Sequence, residues 1–454
     1  MRTDVCVVGG GIAGLAAAAR LVAAGLAVTV LEGTDDPGGR ARDTRVGGFV
    51  LGDGAHLLHT TWPTLRQTIS PAELQLGGFA AGVRICSGGG GLSAATEDAG
   101  GLSSEERTGA LENSLQVHDV VRRVRFGAAP TRPQQTFSAL RMPIGTAADK
   151  ARLSKLLYRL GTTAPERALN GPEHSAADSY AVRGYSAELV DQFLRPYLAA
   201  LAADEDLAAS VRGADWLLRL LVRGRFAVAG AGINALVREL VRRLPNGTIE
   251  LGVRVHTVRA DRVVGGTGEI RARATVVAAD PYSAMELLPG LHEPRMRSAT
   301  TLWHSVDDAQ LPFEPDRAPS VLIDAEPGSP IARTAVVSRA APGLAPPGRA
   351  LVATTVFGDD GKEPAALDRA VLGRLSHLHG VPQRRWETLD IRHVEHALVT
   401  MQSPHNFARP VRLIKGLYVC GDHRDLPNVE GALQSGHRAA KAVLEDLDVR
   451  YSPG

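Results

Sequence analysis

Three glycines and one glutamate near the start of the chain have the residue types and spacing needed to bind a dinucleotide. Residues 9–14 read GGGIAG, and Glu32 comes directly after the next β-branched run. Glycines at a strand-to-helix turn let backbone amides approach a pyrophosphate, and the helix N-terminus stabilises its negative charge. A carboxylate that ends the following strand accepts hydrogen bonds from the two hydroxyls of a ribose. The chemistry indicated is therefore the retention of a phosphate-linked cofactor.

The segments around these residues predict the order strand, turn, helix, strand. β-Branched residues dominate 4–8, alanine and leucine fill 12–24, and a second strand-like run covers 27–31. A glycine run without a cofactor would not need a strand, a helix and an acid at these distances. The flanks therefore favour a Rossmann-type turn over a structural glycine turn.

Each residue of the turn has a separate expected role. Gly9 permits the tight turn, Gly11 lets the backbone approach the pyrophosphate, and Gly14 allows close packing of the helix. Ile12 and Ala13 begin the helix, so their amides are expected to face the phosphates.

Composition limits the class of protein. A chain of 454 residues is expected to form two domains with a cleft between them. The 51 basic and 49 acidic side chains nearly cancel, which gives no electrostatic reason to expect nucleic acid as a partner. Only three cysteines occur, so we expect a reducing, cytoplasmic location. Asp4 and Arg20 interrupt the apolar N-terminus, which argues against a signal peptide or a membrane span.

Three further segments carry a resemblance to a known superfamily. EGTDDPGGR occupies 32–40, FAVAGAGINALVRELVRRLPNGTIELGVRVHTVRADR begins at residue 226, and GLYVCGDHRDLPNVEGALQSGHRAAKAVL occupies 416–444. With the N-terminal turn, they resemble the flavin-containing amine oxidase, phytoene desaturase and protoporphyrinogen oxidase superfamily, in order and over essentially the whole chain. The resemblance implies an FAD-dependent oxidoreductase that binds FAD in an extended form.

The resemblance also assigns cofactor contacts. Arg40 follows a glycine pair, Asp422 is expected to hold a ribityl hydroxyl, and Val255 is expected to meet the adenine with its backbone. The helix that starts near Val429 is expected to direct N–H groups at the flavin ring. The remaining matching positions are Gly38, Gly39, Gly54, Ala55, His56, Gly421 and Gly431. Cys420 falls inside a predicted strand, so we expect non-covalent FAD.

The implied fold class is α/β, with a discontinuous Rossmann-type FAD domain and an α+β substrate domain. We assign 1–75, 226–290 and 405–450 to the first, and 76–225 and 291–404 to the second. The second should combine a mixed sheet with a helical cap, since 147–223 has helical apolar spacing. Residues 87–107 are rich in glycine, serine and acids and predict a flexible surface loop or a lid.

Two histidines are the candidate catalytic residues. His56 would pass beside the flavin ring and accept a proton from the substrate, or would be a packed histidine without such a role. Many amine oxidases of the superfamily place a lysine on the strand that reads SATTLWHSV here, yet no lysine occurs between Lys155 and Lys362. His304 or Trp303 is expected in its place. The other histidines lack partners at metal-ligand spacing, so we expect no metal.

The leading hypothesis is a dehydrogenase that acts on a C–N or C–C bond of a small or medium organic metabolite, in secondary metabolism. One alternative is an isoprenoid or carotenoid desaturase or isomerase at a membrane surface, with the helix near WLLRLLVRGRF touching lipid. The other alternative is a non-catalytic flavin-containing scaffold. The sequence does not name the substrate, the electron acceptor or the oligomeric state.

Overall fold

The computed structural model describes residues 2–54, 57–87, 116–118, 144–312, 318–358 and 363–450. Two positions predicted to contact the cofactor, Ala55 and His56, lie outside these residues. The loop predicted at 87–107 also lies outside them from residue 88 onward.

The strands of the described residues are numbered in chain order. The first eight are β1 (Arg2–Val8), β2 (Val28–Leu31), β3 (Asp43–Val46), β4 (Phe49–Gly52), β5 (Leu58–His59), β6 (Gly77–Gly78), β7 (Arg84–Ser87) and β8 (Gln116–His118). The others are β9 (Phe226–Val228), β10 (Ile249–Glu250), β11 (Val255–Val258), β12 (Arg262–Gly265), β13 (Gly268–Val277), β14 (Met296–Asp307), β15 (Leu322–Asp324), β16 (Arg333–Val336), β17 (Arg349–Phe357), β18 (Glu387–Val399), β19 (Arg412–Ile414) and β20 (Leu417–Val419).

The α-helices are numbered in the same way. They are α1 (Ile12–Ala23), α2 (Pro63–Thr68), α3 (Ala147–Thr162), α4 (Pro165–Ala168), α5 (Ala176–Val182), α6 (Ala187–Leu189), α7 (Arg195–Ala202), α8 (Val211–Val222), α9 (Asn234–Arg242), α10 (Pro281–Leu287), α11 (Val337–Ala340), α12 (Pro364–His379) and α13 (Val429–Asp446).

The first sheet has the order β10-β2-β1-β13-β12-β11, with β20 also paired to β13. β1 runs parallel to β2 and β13, and β20 runs parallel to β13. Parallel strands are buried on both faces, which explains the continuous apolar runs of β1 and β2. Their carboxyl ends lie at one edge of the sheet, where open α/β sheets bind ligands. The α/β fold class expected from the sequence is confirmed.

The second sheet has the order β18-β14-β17-β16-β15-β7-β8 and is mixed. Its pairs are antiparallel except that β7 runs parallel to β15. Alternate side chains of β14 therefore point to opposite faces. One face of the sheet looks toward the first sheet, and α12 covers the other. The domain bounds assigned from the sequence stay a prediction.

Helices α3 to α8 form the cap. α8 is buried along its length apart from Arg212, and it packs against α3. Arg219 of α8 donates to the carbonyl oxygens of Leu160 and Thr163 instead of reaching the surface. The structure gives no support to the expectation that this helix touches lipid, because all its side chains except Arg212 are buried and Arg219 binds helix-terminal carbonyls inside the cap. Within the described residues, the helices are all too short or too polar to span a bilayer.

Helices α1 and α13 pack closely, and a glycine makes the approach possible. A Cβ added to Gly436 would lie 2.3 Å from the carbonyl oxygen of Ala13, well inside van der Waals contact. This packing brings the first turn of α1 next to the C-terminal segment that carries Asp422. The two ends of the chain thus meet at the same edge of the first sheet.

We predict that Gly436→Ala destabilises the protein by about 1–3 kcal/mol, because the methyl group overpacks a backbone contact. The matched control is Gly373→Ala in α12, where the added Cβ meets only the side-chain nitrogen of Gln383, at 3.2 Å. That control should be neutral or stabilising by up to about 1 kcal/mol, the helix-propensity gain. Urea unfolding followed by circular dichroism measures both, and equal behaviour of the two variants would contradict the packing argument.

Candidate active site and cofactor cavity

One cavity of about 770 Å³ runs between the two sheets and under the cap. Its first part is lined by the carboxyl ends of β1 and β2 and by the start of α1. Its second part is lined by α8, by the segment before α13 and by one face of the second sheet. The cavity is therefore polar at one end and largely apolar at the other.

The N-terminus of α1 opens into the polar end. Gly11, Ile12 and Ala13 line the cavity, and no side chain of the described residues caps the helix. A Cβ added to Gly11 would meet no atom within 4 Å, so the space in front of this residue belongs to the cavity. Free amides at a helix N-terminus and a positive dipole end make an anion-binding site. This end of the cavity fits a pyrophosphate.

Glu32 is held in a fixed orientation beside this turn. One of its carboxylate oxygens accepts a hydrogen bond from the Gly10 amide at 2.7 Å. The other accepts from the amide and the hydroxyl of Thr34, at 3.0 and 2.7 Å. The oxygen that accepts from Gly10 has further acceptor capacity, and Glu32 lines the cavity. This oxygen can therefore accept a hydrogen bond from a ribose hydroxyl group.

Arg40 and Asp422 meet in the middle of the cavity. The guanidinium donates to the Asp422 carboxylate at 2.6 Å and to the carbonyl oxygen of Ala397 at 3.0 Å. The charge of Asp422 raises the pKa of Arg40 above its ordinary value. The Gly39 turn that carries Arg40 packs against Gly11, since an added Cβ would lie 3.5 Å from the Gly11 Cα. A cation is thus placed next to the predicted phosphate site.

The segment before α13 forms the far wall. Leu426, Pro427 and Val429 line the cavity, and the side chain of Asn428 caps the helix by accepting from the Gly431 amide at 3.1 Å. Because this amide already has a partner, Gly431 is not placed to donate to a cofactor. A Cβ added to Gly431 would lie 1.9 Å from the carbonyl oxygen of Leu426, so its role is close packing.

Most of the predicted cofactor contacts come together in this cavity. The lining residues among them are Gly9, Gly11, Ile12, Ala13, Glu32, Gly38, Gly39, Arg40, Gly54, Val255, Gly421, Asp422 and Val429. Gly14 is not in the lining, because it packs under the turn, where an added Cβ would lie 2.0 Å from the Gly9 carbonyl oxygen. Ala55 and His56 lie outside the described residues, so their roles stay predictions.

His304 does not reach the cavity. It is buried on the face of β14 that α12 covers, and its Nε2 lies 2.9 Å from a carboxylate oxygen of Asp368. Its neighbour Trp303 points the other way and donates from its indole nitrogen to the Gly52 carbonyl oxygen at 3.0 Å. Strand alternation places these residues on opposite faces. The structure does not support the catalytic role expected for His304, and it gives Trp303 a structural hydrogen bond.

The other end of the cavity is walled by aromatic and aliphatic side chains. Trp62 and Trp216 stack with ring centroids 6.5 Å apart. Further apolar lining residues at this end include Leu57, Leu201, Leu217, Leu220, Phe226, Phe357, Met401 and Leu426. Tyr197 is not in the lining, since it is buried and donates its hydroxyl to the Leu217 carbonyl oxygen at 2.8 Å. The wall presents apolar surface to the space beside the segment that precedes α13.

His59 links several residues of this wall by hydrogen bonds and a ring contact. The sequence alone did not indicate this role. The side chain is fully buried, with Nε2 at 3.0 Å from the Leu220 carbonyl oxygen and Nδ1 at 2.8 Å from the Thr61 hydroxyl. Its ring contacts Phe226 edge to face, with centroids 5.3 Å apart. Burial lowers the pKa of His59 to about 4, so the ring is neutral at pH 7 and donates from Nε2.

The floor of the apolar end carries three polar side chains in one row. Thr301 of β14 pairs in register with Thr355 of β17, which pairs with Arg333 of β16. All three line the cavity. The alternation of side chains along a strand predicts which residues of that strand share a face. It does not predict the register between strands, and the alignment of these three residues depends on that register.

The residues present fit FAD. A phosphate site, a ribose acceptor and an ion pair line a single cavity that also has an apolar part. Bound FAD would supply the capacity to accept a hydride from a substrate carbon. Cys6, Cys86 and Cys420 are buried, and none of them is among the lining residues of the described part of the cavity.

The fold and the cavity define a Rossmann-type oxidoreductase that binds a dinucleotide. The model of the family described as flavin containing amine oxidoreductase matches residues 12–444. The chain belongs to this family, and it is an FAD-dependent oxidoreductase.

Three proteins that are similar to this chain over nearly its whole length share 28% sequence identity with it or less. Hydroxysqualene dehydroxylase of Rhodopseudomonas palustris is 28% identical over 475 residues, which cover 98% of this chain and 99% of that protein. An oxidoreductase from Methanosarcina mazei has a similar structure, with a TM-score of 0.68, 17% identity and coverage of 97% of this chain and 100% of that one. Putrescine oxidase bound to putrescine matches with a TM-score of 0.63, 16% identity and coverage of 98% and 99%.

We predict that Gly11→Ala weakens FAD binding by about 10- to 30-fold, because the methyl group enters the space through which the pyrophosphate approaches the helix amides. The backbone of Gly11 has a φ of −74°, which alanine adopts without strain, so folding should be unaffected. Flavin fluorescence titration of the apoprotein measures the affinity. Gly78→Ala, also without an atom near the added Cβ, is the control. Undiminished affinity in Gly11→Ala would refute this phosphate site.

We predict that His59→Gln reduces the loss of stability in acid. The unfolded histidine binds a proton near pH 6.5 and the folded one near pH 4, so stability falls as the pH drops through this window. Glutamine keeps a donor for the Leu220 carbonyl oxygen but does not titrate. Between pH 7 and pH 4, the wild type should lose about 2–3 kcal/mol more than the variant. Unfolding in urea at several pH values measures this, and parallel pH profiles would contradict the assignment.

Proposed function

We propose that this protein dehydrogenates a carbon–carbon bond of a largely apolar, isoprenoid-like molecule. A hydride would pass from one substrate carbon to FAD, and the neighbouring carbon would lose a proton to a base or to water. The observation that carries this proposal is the apolar end of the cavity, where Trp62, Trp216 and Leu220 offer hydrocarbon surface. Burial of apolar surface against such a wall is the main source of affinity for an uncharged chain.

The charge at this end argues against an amine substrate. The described residues that line it include one charged side chain, Arg333, and it is a cation. The acids of the lining, such as Glu32 after β2 and Glu286 near the end of α10, belong to the elements at the other end. An ammonium group would therefore meet repulsion without a compensating carboxylate. The absence of lysine between Lys155 and Lys362 agrees with this, since it departs from the amine oxidases that the sequence resembles.

The full-length relative supports the same class of substrate. Its name gives hydroxysqualene as the compound on which it acts. We extend this to an isoprenoid-like substrate here because the wall of this chain has the matching chemistry. A site at the membrane surface is not part of the proposal, since α8 contributes to the cavity wall and not to the exterior.

Anaerobic mixing of the purified holoenzyme with candidate substrates tests the proposal. Squalene, hydroxylated squalene, farnesol and farnesoic acid, delivered in cyclodextrin, form one arm, and putrescine and cyclohexylamine form the other. We predict that a compound of the first arm bleaches the flavin absorbance and yields a product two hydrogen atoms lighter by mass spectrometry. Dithionite serves as the control that the bound flavin is reducible. Bleaching by the amines alone would overturn the proposal in favour of C–N oxidation.

A further inference from the structure

Arg333 occupies an unusual position for an arginine. It lies on β16 with its side chain in the cavity, between the second sheet and the cap. One terminal nitrogen donates to the carbonyl oxygen of Ala200 near the C-terminal end of α7. The guanidinium lies over the ring of Phe357, 5.3 Å from its centroid. These contacts hold the side chain in place but use few of its five N–H donors.

The charge of Arg333 has no acidic partner among the described residues. Burial lowers its pKa to about 10, and no neighbouring carboxylate offsets this effect. The side chain is still protonated at neutral pH. A buried charge without a counterion is costly, and proteins normally pair it.

Other arginines of this chain that are partly or fully buried show how a structural role is satisfied. Arg374 donates to both carboxylate oxygens of Asp324, at 2.6 and 2.7 Å. Arg183 makes two bonds of 2.8 Å to Asp215. Arg219, which binds carbonyl oxygens, does not line the cavity. Arg333 differs from these residues because it combines a position in the cavity with the absence of a carboxylate.

Two buried polar atoms on the cavity floor also lack a partner among the described residues. They are the Nε of Arg333 and the hydroxyl oxygen of Thr355. The two residues are directly paired across β16 and β17, and both line the cavity. Buried donors without partners are rare in proteins and costly. Both side chains therefore keep hydrogen-bonding capacity that the described protein atoms do not use.

The cofactor does not account for this pair. The phosphate site at Gly11 and the ion pair of Arg40 with Asp422 lie toward the polar end. Arg333 and Thr355 instead share their part of the cavity with Leu201, Phe357 and the apolar wall. The Arg333 and Thr355 side chains therefore lie beside the space that remains for the substrate.

We propose that Arg333 and Thr355 form a subsite that binds a carboxylate group of the substrate. A carboxylate supplies two acceptor oxygens and the negative charge that the buried guanidinium lacks. The substrate class is then an apolar chain or ring system that ends in a carboxylic acid. This inference rests on the proposed function only in assigning the carboxylate to the molecule that is oxidised.

Isothermal titration calorimetry on the holoenzyme at pH 7.5 tests the subsite, with octanoate, 1-octanol and octylamine as probes below their micellar concentrations. We predict that octanoate binds about 10- to 100-fold more tightly than 1-octanol, and that octylamine binds no better than 1-octanol. Arg333→Met should abolish the preference for octanoate and leave the binding of 1-octanol unchanged. Thr355→Val should weaken octanoate binding by about 2- to 10-fold, the loss of one hydrogen bond.

The matched control is Arg195→Met, which removes the same charge from the start of α7, where Arg195 pairs with Asp191 outside the cavity. It should keep the wild-type preference. Equal affinity of octanoate and 1-octanol in the wild type, or a preference that survives Arg333→Met, would overturn the subsite. Because these titrations need no turnover, they are independent of the substrate panel. If the enzyme oxidises isoprenoids but shows no preference for octanoate, the subsite alone is refuted. If it prefers octanoate but oxidises none of the isoprenoids, only the proposed function is refuted.

Discussion

The structure depends on one constraint, which is that the first turn of α1 must remain uncovered while the chain packs closely around it. Gly11 leaves the space in front of the helix amides open, and the Gly39 turn contacts it from one side. Gly436 lets α13 approach α1 from the other side, which brings Asp422 to within 2.6 Å of Arg40. A larger side chain at either glycine would disturb the anion site. The two ends of the chain meet here for this reason.

The second sheet and the cap enclose the space next to the predicted cofactor site. His59 bonds to the Leu220 carbonyl oxygen of α8. Trp216 and Leu220 of this helix form an apolar wall of the cavity, and residues of the second sheet form its floor. In such an apolar space a charge interacts more strongly than it does in water. Arg333, the charged residue of the described lining at this end, therefore has a large influence on which substrates enter.

Local features could be predicted from the sequence, and features that depend on strand register could not. The GGGIAG turn, Glu32, Arg40 and Asp422 could be placed at one cavity because each lies in a short segment with its own recognisable spacing. The row formed by Thr301, Thr355 and Arg333 was missed because three distant strands must pair before it exists. His304 and Trp303 were both expected at the cavity because they are adjacent in the sequence. Adjacent residues of a strand point to opposite faces, and this expectation did not take that into account. The helix near WLLRLLVRGRF was considered for a lipid surface because the pattern of α8 does not show that carbonyl oxygens at the end of α3 receive the Arg219 guanidinium.

The central claim is that one continuous cavity holds FAD with its phosphates at α1 and its ring beside the apolar wall. A crystal structure of the purified holoenzyme is the most direct test. We predict pyrophosphate density within hydrogen-bonding distance of the amides of Ile12 or Ala13, the adenine near Val255, and the flavin ring between Val429 and the wall that contains Trp216. Flavin density in the reverse direction, or phosphates bound away from the α1 N-terminus, would contradict the account.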